Sequence, residues 1–143
     1  MDTLRRERIA RQFNGRIQVS EVSAARVLEI RSILEARLSL RDSRGVALAK
    51  ALRSRARLAA DVTVESDPSA IERVLTEAAG GREGTVLLNW GQWTDLDSVT
   101  INDFIEAFWD FWYPKADDLD ILSVTFEWIV SIDYDGWIYV AHL

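Results

Sequence analysis

The sequence has 143 residues, of which 48% are hydrophobic and 28% are charged. This is the usual mix of a folded globular protein, and it excludes disorder over most of the length. The sequence has no cysteine and only one histidine, His142, which excludes disulfides, thiolate catalysis and Cys-based metal sites. No apolar run reaches the roughly 18 residues that span a bilayer. The basic N-terminus lacks the apolar stretch of a signal peptide, so we expect a cytoplasmic protein without a membrane segment.

The net charge of −6 hides two segments of opposite sign. Residues 1–60 contain 14 Lys and Arg against six Asp and Glu, whereas residues 61–143 contain three against 17. Phe13 is the one aromatic residue before Trp90. We therefore predict an Arg-rich, mainly helical segment over residues 1–62 and an acidic, Trp-rich α+β domain over residues 63–143, as two units or as one continuous domain.

The first segment has two stretches typical of helices. Val27, Ile30 and Leu34 recur at helical spacing after a serine that can cap the helix, which predicts a helix ending near Leu38. Residues 46–60 are rich in Ala and Arg, both strong helix formers, and predict a second helix. Residues 16–22 alternate weakly between polar and apolar and could form a short strand.

The second segment begins with the clearest helix signal of the chain. Asp67-Pro68 is a favourable start, and Gly80-Gly81 a favourable end. Residues 85–90 are β-branched and apolar, and they predict a buried strand. After a polar loop, Thr100 is expected to cap a helix that stops before Pro114.

The last residues carry a strong hairpin signal. Asp135-Gly136 between two β-rich runs predicts a two-residue type I′ turn, which pairs Tyr134 with Trp137, Ile132 with Tyr139 and Val130 with Ala141. That register places one core face on Phe126, Trp128, Val130, Ile132, Tyr134, Trp137, Tyr139, Ala141 and Leu143. Residues 119–124 are expected to add a third strand. The predicted fold class is α+β, with N-terminal helices followed by a small antiparallel sheet packed against helices.

Several patterns resemble catalytic or metal sites without completing one. Residues 131–136 resemble half of a calcium loop, but they lack the first Asp and the closing Glu, and their flanks predict strands. Short acidic spacings are typical of solvated loops as well as of cation sites. The chain has no nucleophile elbow, no Gly-rich phosphate loop ending in Lys and no second histidine. We therefore predict no metal, no cofactor and no enzymatic activity.

The carboxylates left outside the predicted core suggest a binding surface. Acidic residues line the outer side of the helix after Thr100 and the loops at its two ends, and two tryptophans beside them are expected to be exposed. Such a surface can attract a basic protein partner, of which a nuclease is one example. The predicted partner-binding residues are Trp93, Asp95, Asp97, Asp103, Glu106, Trp109, Asp110, Asp117, Asp118 and Asp120.

The arginines between Arg5 and Arg57 leave an alternative open. They could make the chain a nucleic-acid-associated regulatory module, although no aromatic residue is interleaved for base stacking. They could equally dock on the acidic half of the same chain. We consider nucleic-acid binding the less favoured of these two.

The C-terminal part resembles a known class of proteins. Residues 85–143 contain Trp112-Tyr113-Pro114, Asp117-Asp118-Leu119, Trp128 and Asp135-Gly136, and they look like the ends of small bacterial immunity proteins. Those families are cytoplasmic inhibitors encoded beside polymorphic or contact-dependent toxins. The resemblance implies a non-enzymatic function, the stoichiometric blockade of a toxin domain.

Overall fold

The computed structural model describes residues 1–41 and 45–143. Its helices are Thr3–Gln12 (α1), Ala24–Arg37 (α2), Gly45–Arg55 (α3), Ser69–Ala79 (α4), Ile101–Glu106 (α5) and Phe108–Phe111 (α6). Its strands are Ser20–Glu21 (β1), Arg57–Leu58 (β2), Thr85–Asn89 (β3), Asp97–Thr100 (β4), Leu119–Ser123 (β5), Trp128–Ile132 (β6) and Ile138–His142 (β7). The predicted α+β class is confirmed. Among the described residues, no helix is long and apolar enough to cross a membrane.

All strands join one antiparallel sheet in the order β1-β4-β3-β5-β6-β7-β2. The five central strands come from residues after 84, whereas the short edge strands β1 and β2 come from the first 60 residues. Both segments therefore contribute to the same sheet.

Helices cover the sheet on both faces. On the first face, Val86, Leu88 and Val130 pack with residues of α1, α4, α5 and α6. On the second face, Leu87 and Ile129 pack with residues of α2 and α3. The prediction of a single core face in the C-terminal hairpin is therefore wrong, because neighbouring residues of each strand enter opposite cores.

Several helices begin or end at the residues that the sequence predicts. Ser23 caps α2, and Thr100 caps α5 by accepting a hydrogen bond from the backbone N–H of Asp103. Gly80 ends α4 with a left-handed φ of 74°. The helix predicted before Pro114 is divided at Ala107, where the backbone N–H of Asp110 donates to the Ala107 carbonyl in a tighter, three-residue turn.

Two stretches differ from the predicted elements. The second helix ends at Arg55, and the chain then adds β2 against β7 rather than staying helical to residue 60. The predicted polar loop before Thr100 contains β4, which pairs with β3 and β1. In both cases pairing with a distant strand decides the local structure, and local propensity does not report it.

The register of the C-terminal hairpin is shifted by one residue from the predicted one. Val130 pairs with Val140 and Ile132 with Ile138, and the backbone N–H of Asp133 donates to the Trp137 carbonyl. The loop therefore has three residues, 134–136, with Gly136 at a φ of +86°. This is the bulged turn that places glycine in the left-handed position, the next most common class after the type I′ turn.

Candidate functional site

The predicted acidic residues are divided between two places on the molecule, and the first lies against α1. One oxygen of Asp97 lies 2.7 Å from the guanidinium of Arg6, and the other lies 2.7 Å from the amino group of Met1. Only 1% of the Asp97 side chain is exposed. The expectation that Asp97 lies on the surface is therefore wrong, because it begins β4 and is buried in the sheet between β1 and β3.

Asp117 is held against the same helix. Its carboxylate lies 3.1 Å from the guanidinium of Arg5, and both side chains are largely buried. The backbone N–H of Tyr113 donates to Asp117 at 2.8 Å, and the Arg5 guanidinium lies 4.2 Å from the centre of the Tyr113 ring. Asp117 therefore fixes the segment after α6 and is occupied by its own chain.

The outer side of α5 and α6 is also paired. Arg16 donates to both oxygens of Glu106, at 2.7 and 2.5 Å, and this hydrogen bonding lowers the pKa of Glu106. Arg8 lies 3.7 Å from Asp110, while Asp103 is partly buried nearby. We call the surface formed by Arg5, Arg6, Arg8, Arg16, Asp97, Glu106, Asp110 and Asp117 the paired face. The expected uncompensated negative surface is therefore wrong here, because arginines of the first segment neutralise it.

The two tryptophans expected at the surface differ. Trp109 is 44% exposed, as predicted, and packs beside Phe108. Trp93 is fully buried in the second core, so its predicted exposure is wrong. The backbone N–H of Trp93 donates to the Asn89 side chain at 3.1 Å, and this turn directs the ring inward. Asp95 is exposed as expected, with the Thr94 hydroxyl at 3.4 Å.

A row of polar residues crosses the second face of the sheet. Asn89, Asp120, Ser131 and Tyr139 are direct neighbours on β3, β5, β6 and β7. The amide of Asn89 and the hydroxyl of Ser131 donate to Asp120 at 2.9 and 2.7 Å. Burial raises the pKa of Asp120, although both hydrogen bonds oppose the rise. Each polar group of the row therefore has a partner, as buried polar groups require.

The row lies where the helical cover of the second face ends. The adjacent apolar row on the same face packs with α2 and α3, and it consists of Leu87, Leu122, Ile129 and Ala141. Beside the polar row lies a cavity of about 350 Å³, lined by residues of α3, β5, β6 and β7. A second cavity of about 380 Å³ adjoins it, and both are lined by Arg53, Asp118 and Asp120.

We call these two cavities together the groove. The charged and hydrogen-bonding residues that line the first cavity are Arg53, Asp118, Asp120, Ser131, Asp133, Tyr134 and Tyr139. Asp118 and Asp120 were predicted as partner-binding residues, and the structure brings them together here. Asp95, Asp103, Glu106, Trp109, Asp110 and Asp117 do not line the groove.

One arginine reaches the groove from α3. The guanidinium of Arg53 lies 3.6 Å from Asp118, and the two side chains are 72% and 51% exposed. An exposed pair of this kind contributes about 0–1 kcal/mol. The Arg53–Asp118 pair is therefore easily opened, unlike the Arg5–Asp117 and Arg6–Asp97 pairs of the paired face, whose carboxylates are buried or nearly so.

Asp133 and Tyr139 form the other wall. Asp133 accepts hydrogen bonds from the backbone N–H groups of Asp135 and Trp137, and from the Tyr139 hydroxyl at 3.3 Å. Burial, followed by the nearby charge of Asp133, raises the pKa of Tyr139. A carboxylate has about four lone-pair positions, so Asp133 can hold the hairpin turn and still accept from a ligand.

The chemistry of the groove favours a cation. The first cavity is lined by three carboxylates, those of Asp118, Asp120 and Asp133, and by one guanidinium, that of Arg53. The second cavity is lined by Lys50 and Arg53 together with Asp118 and Asp120, so the excess of carboxylates lies in the first cavity. Among residues 1–41 and 45–143, no group of three His, Cys, Asp or Glu side chains is arranged to hold a metal ion. The arrangement suits an organic cation that donates several hydrogen bonds.

Sequence reasoning missed five polar residues that line the first cavity: Arg53, Ser131, Asp133, Tyr134 and Tyr139. The available signal was polar residues inside otherwise apolar strands, as in Leu119–Ser123 and Trp128–Ile132. Aligning those positions needs the strand order and the register, and the predicted hairpin register placed Ser131 and Tyr139 on opposite faces.

Comparison of the chain with protein-family models, with curated proteins and with solved structures gave no match.

Proposed function

We propose that this protein is a non-enzymatic inhibitor that binds and blocks a basic toxin domain in the cytoplasm, as the bacterial immunity proteins that its C-terminal part resembles do. The observation that carries the proposal is the charge balance of the first cavity of the groove, where three carboxylates meet one exposed, weakly held arginine. Complementary charge of this kind raises the association rate of a basic partner and fixes its orientation.

The exposed edges of the groove support protein binding. Tyr134 is 52% exposed beside Asp118, whose carboxylate accepts a hydrogen bond from the Tyr134 backbone N–H at 3.0 Å. Tyrosine is enriched among the residues that dominate binding energy in interfaces. A partner that covers Tyr134 would also exclude water from Asp118, which strengthens any ion pair formed there.

The hydrogen bonding of the groove supports binding rather than catalysis. The hydroxyl of Ser131 donates to Asp120, and Asp133 holds the hairpin turn. A serine nucleophile is commonly activated by a histidine base, and the one histidine of the sequence, His142, does not line the groove. The partners of Ser131 and Asp133 instead hold strands and a turn in place.

The proposal is tested by capture followed by neutralisation. The tagged chain serves as bait in a lysate of the source organism, and the captured protein is then expressed alone and with the inhibitor. We expect the captured protein to arrest growth and an equimolar amount of the chain to restore it. A captured protein whose toxicity persists at equimolar chain would contradict the proposal.

Two matched variants locate the binding surface. Asp118→Asn with Asp133→Asn removes two groove charges while keeping an oxygen acceptor at each position, and we expect it to weaken capture. Asp103→Asn with Asp110→Asn removes two charges outside the groove and should capture as the unaltered chain does. Equal loss in both variants would move the binding surface away from the groove.

A second function is favoured by exposed cations on α2, α3, β2 and the residues after α2. Arg37, Arg41, Lys50, Arg55 and Arg57 are exposed and form no ion pair within the described part of the chain. These cations support the alternative of a nucleic-acid-associated regulatory module. A fluorescence-anisotropy titration of a DNA or RNA oligonucleotide across salt concentrations tests it, since phosphate binding weakens steeply as salt rises. A shallow or absent salt slope would remove this alternative.

A further inference from the structure

Arg53 lies between the two cavities of the groove. It reaches from α3 to Asp118 near the start of β5, and both cavities are lined by this pair and by Asp120. The first cavity is also lined by Asp133, Tyr134 and Tyr139. The Arg53–Asp118 pair therefore lies between the two cavities and separates them.

We propose that the groove is a binding site for a guanidinium group, the side chain of an arginine on the partner, and that Arg53 occupies part of this site until the partner displaces it. This proposal rests on the proposed inhibitory function and names the chemical group that the groove recognises. Arg53 then competes with any external cation for Asp118, so that weakly binding cations do not displace it.

The shape and composition of the site favour guanidinium over ammonium. A guanidinium is planar, donates five hydrogen bonds in a fixed fork and stacks on aromatic rings. The cavity is lined by the carboxylates Asp118 and Asp133 and by the aromatic residues Tyr134 and Tyr139, which are the residue types that pair with and stack on a guanidinium. The cavity volume of about 350 Å³ lies within the range of small-molecule sites, about 300–1,000 Å³.

Asp120 supplies the floor of the site. Its two oxygens already accept from Asn89 and Ser131 at 2.9 and 2.7 Å, so its orientation is fixed before a ligand arrives. A fixed acceptor reduces the ordering that binding requires. Asp118, by contrast, is held only by an exposed pair and one backbone hydrogen bond, so it can exchange Arg53 for another guanidinium.

The competitor gives the proposal a distinctive test. Agmatine, which carries one guanidinium and one ammonium group, is titrated into the full chain and followed by backbone NMR shifts, with cadaverine as the diamine control. We expect agmatine to shift the amides of Asp118–Asp120 and Ser131–Tyr134, and cadaverine to bind more weakly. Arg53→Ala should tighten agmatine binding about two- to fivefold, because the competing exposed pair is weak.

Matched variants separate the site from general charge effects. Arg55→Ala removes a charge from the same helix outside the groove, and it should leave agmatine affinity unchanged. Asp118→Asn should weaken agmatine binding at least fivefold, whereas Asp95→Asn should not. Arg53 and Asp118 are exposed, so we expect these variants to unfold at the temperature of the unaltered chain, which a thermal melt checks.

The outcomes distinguish this inference from the proposed function. The guanidinium site would be overturned if agmatine caused no shifts. It would also be overturned if Arg53→Ala and Asp118→Asn left the affinity for agmatine unchanged. If agmatine did not bind but partner capture still required Asp118 and Asp133, the inhibitory function would stand without the guanidinium site. If agmatine bound as expected while the chain neutralised no captured protein, the site would stand and the inhibitory function would fall.

Discussion

The buried ion pairs of the paired face and the exposed ion pair of the groove each join an arginine of the first segment to an aspartate, with opposite results. On the paired face, Arg6 and Asp97 meet at 2.7 Å with 28% and 1% of their side chains exposed. In the groove, Arg53 and Asp118 meet at 3.6 Å with 72% and 51% exposed. An ion pair buried at short distance is part of the fold, whereas an exposed and longer one leaves its carboxylate available to a partner.

The difference follows from where each helix lies. Arginines of α1 reach Asp97 in β4, Asp110 in α6 and Asp117 in the segment after α6. The helix α3 covers the apolar part of the second face and presents Arg55 to solvent. The first cavity of the groove therefore keeps an excess of carboxylates over cations, which the overall charge of each segment does not reveal.

The largest effect is expected from removing the buried carboxylate of the paired face. Asp97→Ala leaves the Arg6 guanidinium and the Met1 amino group without their partner, and breaking a buried pair should lower the free energy of unfolding by about 3 kcal/mol. Urea denaturation measures the loss. Asp95→Ala, two residues away and exposed, is the control and should change it by less than about 0.5 kcal/mol. Equal losses would remove the structural role of the paired face.

A smaller loss is expected for an arginine of the paired face. Arg5→Ala removes the ion pair to Asp117, a hydrogen bond to the Phe111 carbonyl and the contact with the Tyr113 ring. We expect the free energy of unfolding to fall by about 2 kcal/mol. Arg53→Ala should lower it by less than about 1 kcal/mol. An Arg53 variant as unstable as the Arg5 variant would contradict the distinction between the two regions.

The hairpin turn that supports the groove is tested at Gly136. Gly136→Ala places a side chain at a φ of +86° and a Cβ 3.2 Å from a methyl group of Val64. We expect a loss of about 1–2 kcal/mol in the free energy of unfolding. Gly91→Ala is the matched control, because a Cβ there meets nothing within 4 Å. A Gly136→Ala variant as stable as this control would argue against the bulged turn.

The smallest effect is expected at the floor of the groove. Asp120→Asn replaces a carboxylate whose pKa is raised by burial. The free energy of unfolding of this variant should therefore lie within about 1 kcal/mol of that of the unaltered chain at pH 7. An acid with a raised pKa stabilises the folded state most below its unfolded pKa, and this contribution is lost as the pH rises through the folded pKa. The stability of the variant relative to the unaltered chain should therefore decrease from pH 7 to pH 4. Urea denaturation curves at pH 7 and pH 4 measure this decrease. The same difference in the free energy of unfolding at both pH values would contradict the buried state of Asp120.

Local signals in the sequence were sufficient for the elements that depend on neighbouring residues. Thr100 and Gly80 mark helix ends through their own backbone and side-chain preferences, and residues 85–90 are β-branched and apolar, as a buried strand requires. The α+β class follows from such elements.

The candidate site could not be predicted because its residues meet only through long-range pairing. Asp97 follows a stretch with Gly91, Gln92, Thr94 and Asp95, residue types common in loops, and its burial depends on pairing with Leu88 and Glu21. The polar row needs the correct hairpin register, and that register depends on the bulged turn at Gly136. The partner of each arginine depends on which face its helix covers, which charge counts do not reveal.

The central claim is that uncompensated negative charge is concentrated in the first cavity of the groove and not on the outer side of α5 and α6. It is tested most directly by NMR relaxation of backbone amides in the presence of a cationic nitroxide, with a neutral nitroxide of the same size as reference. We expect the cationic probe to enhance relaxation more than the neutral one at residues 118–120 and 131–134, with little difference at residues 103–110. An equal or larger excess at residues 103–110 would contradict the account.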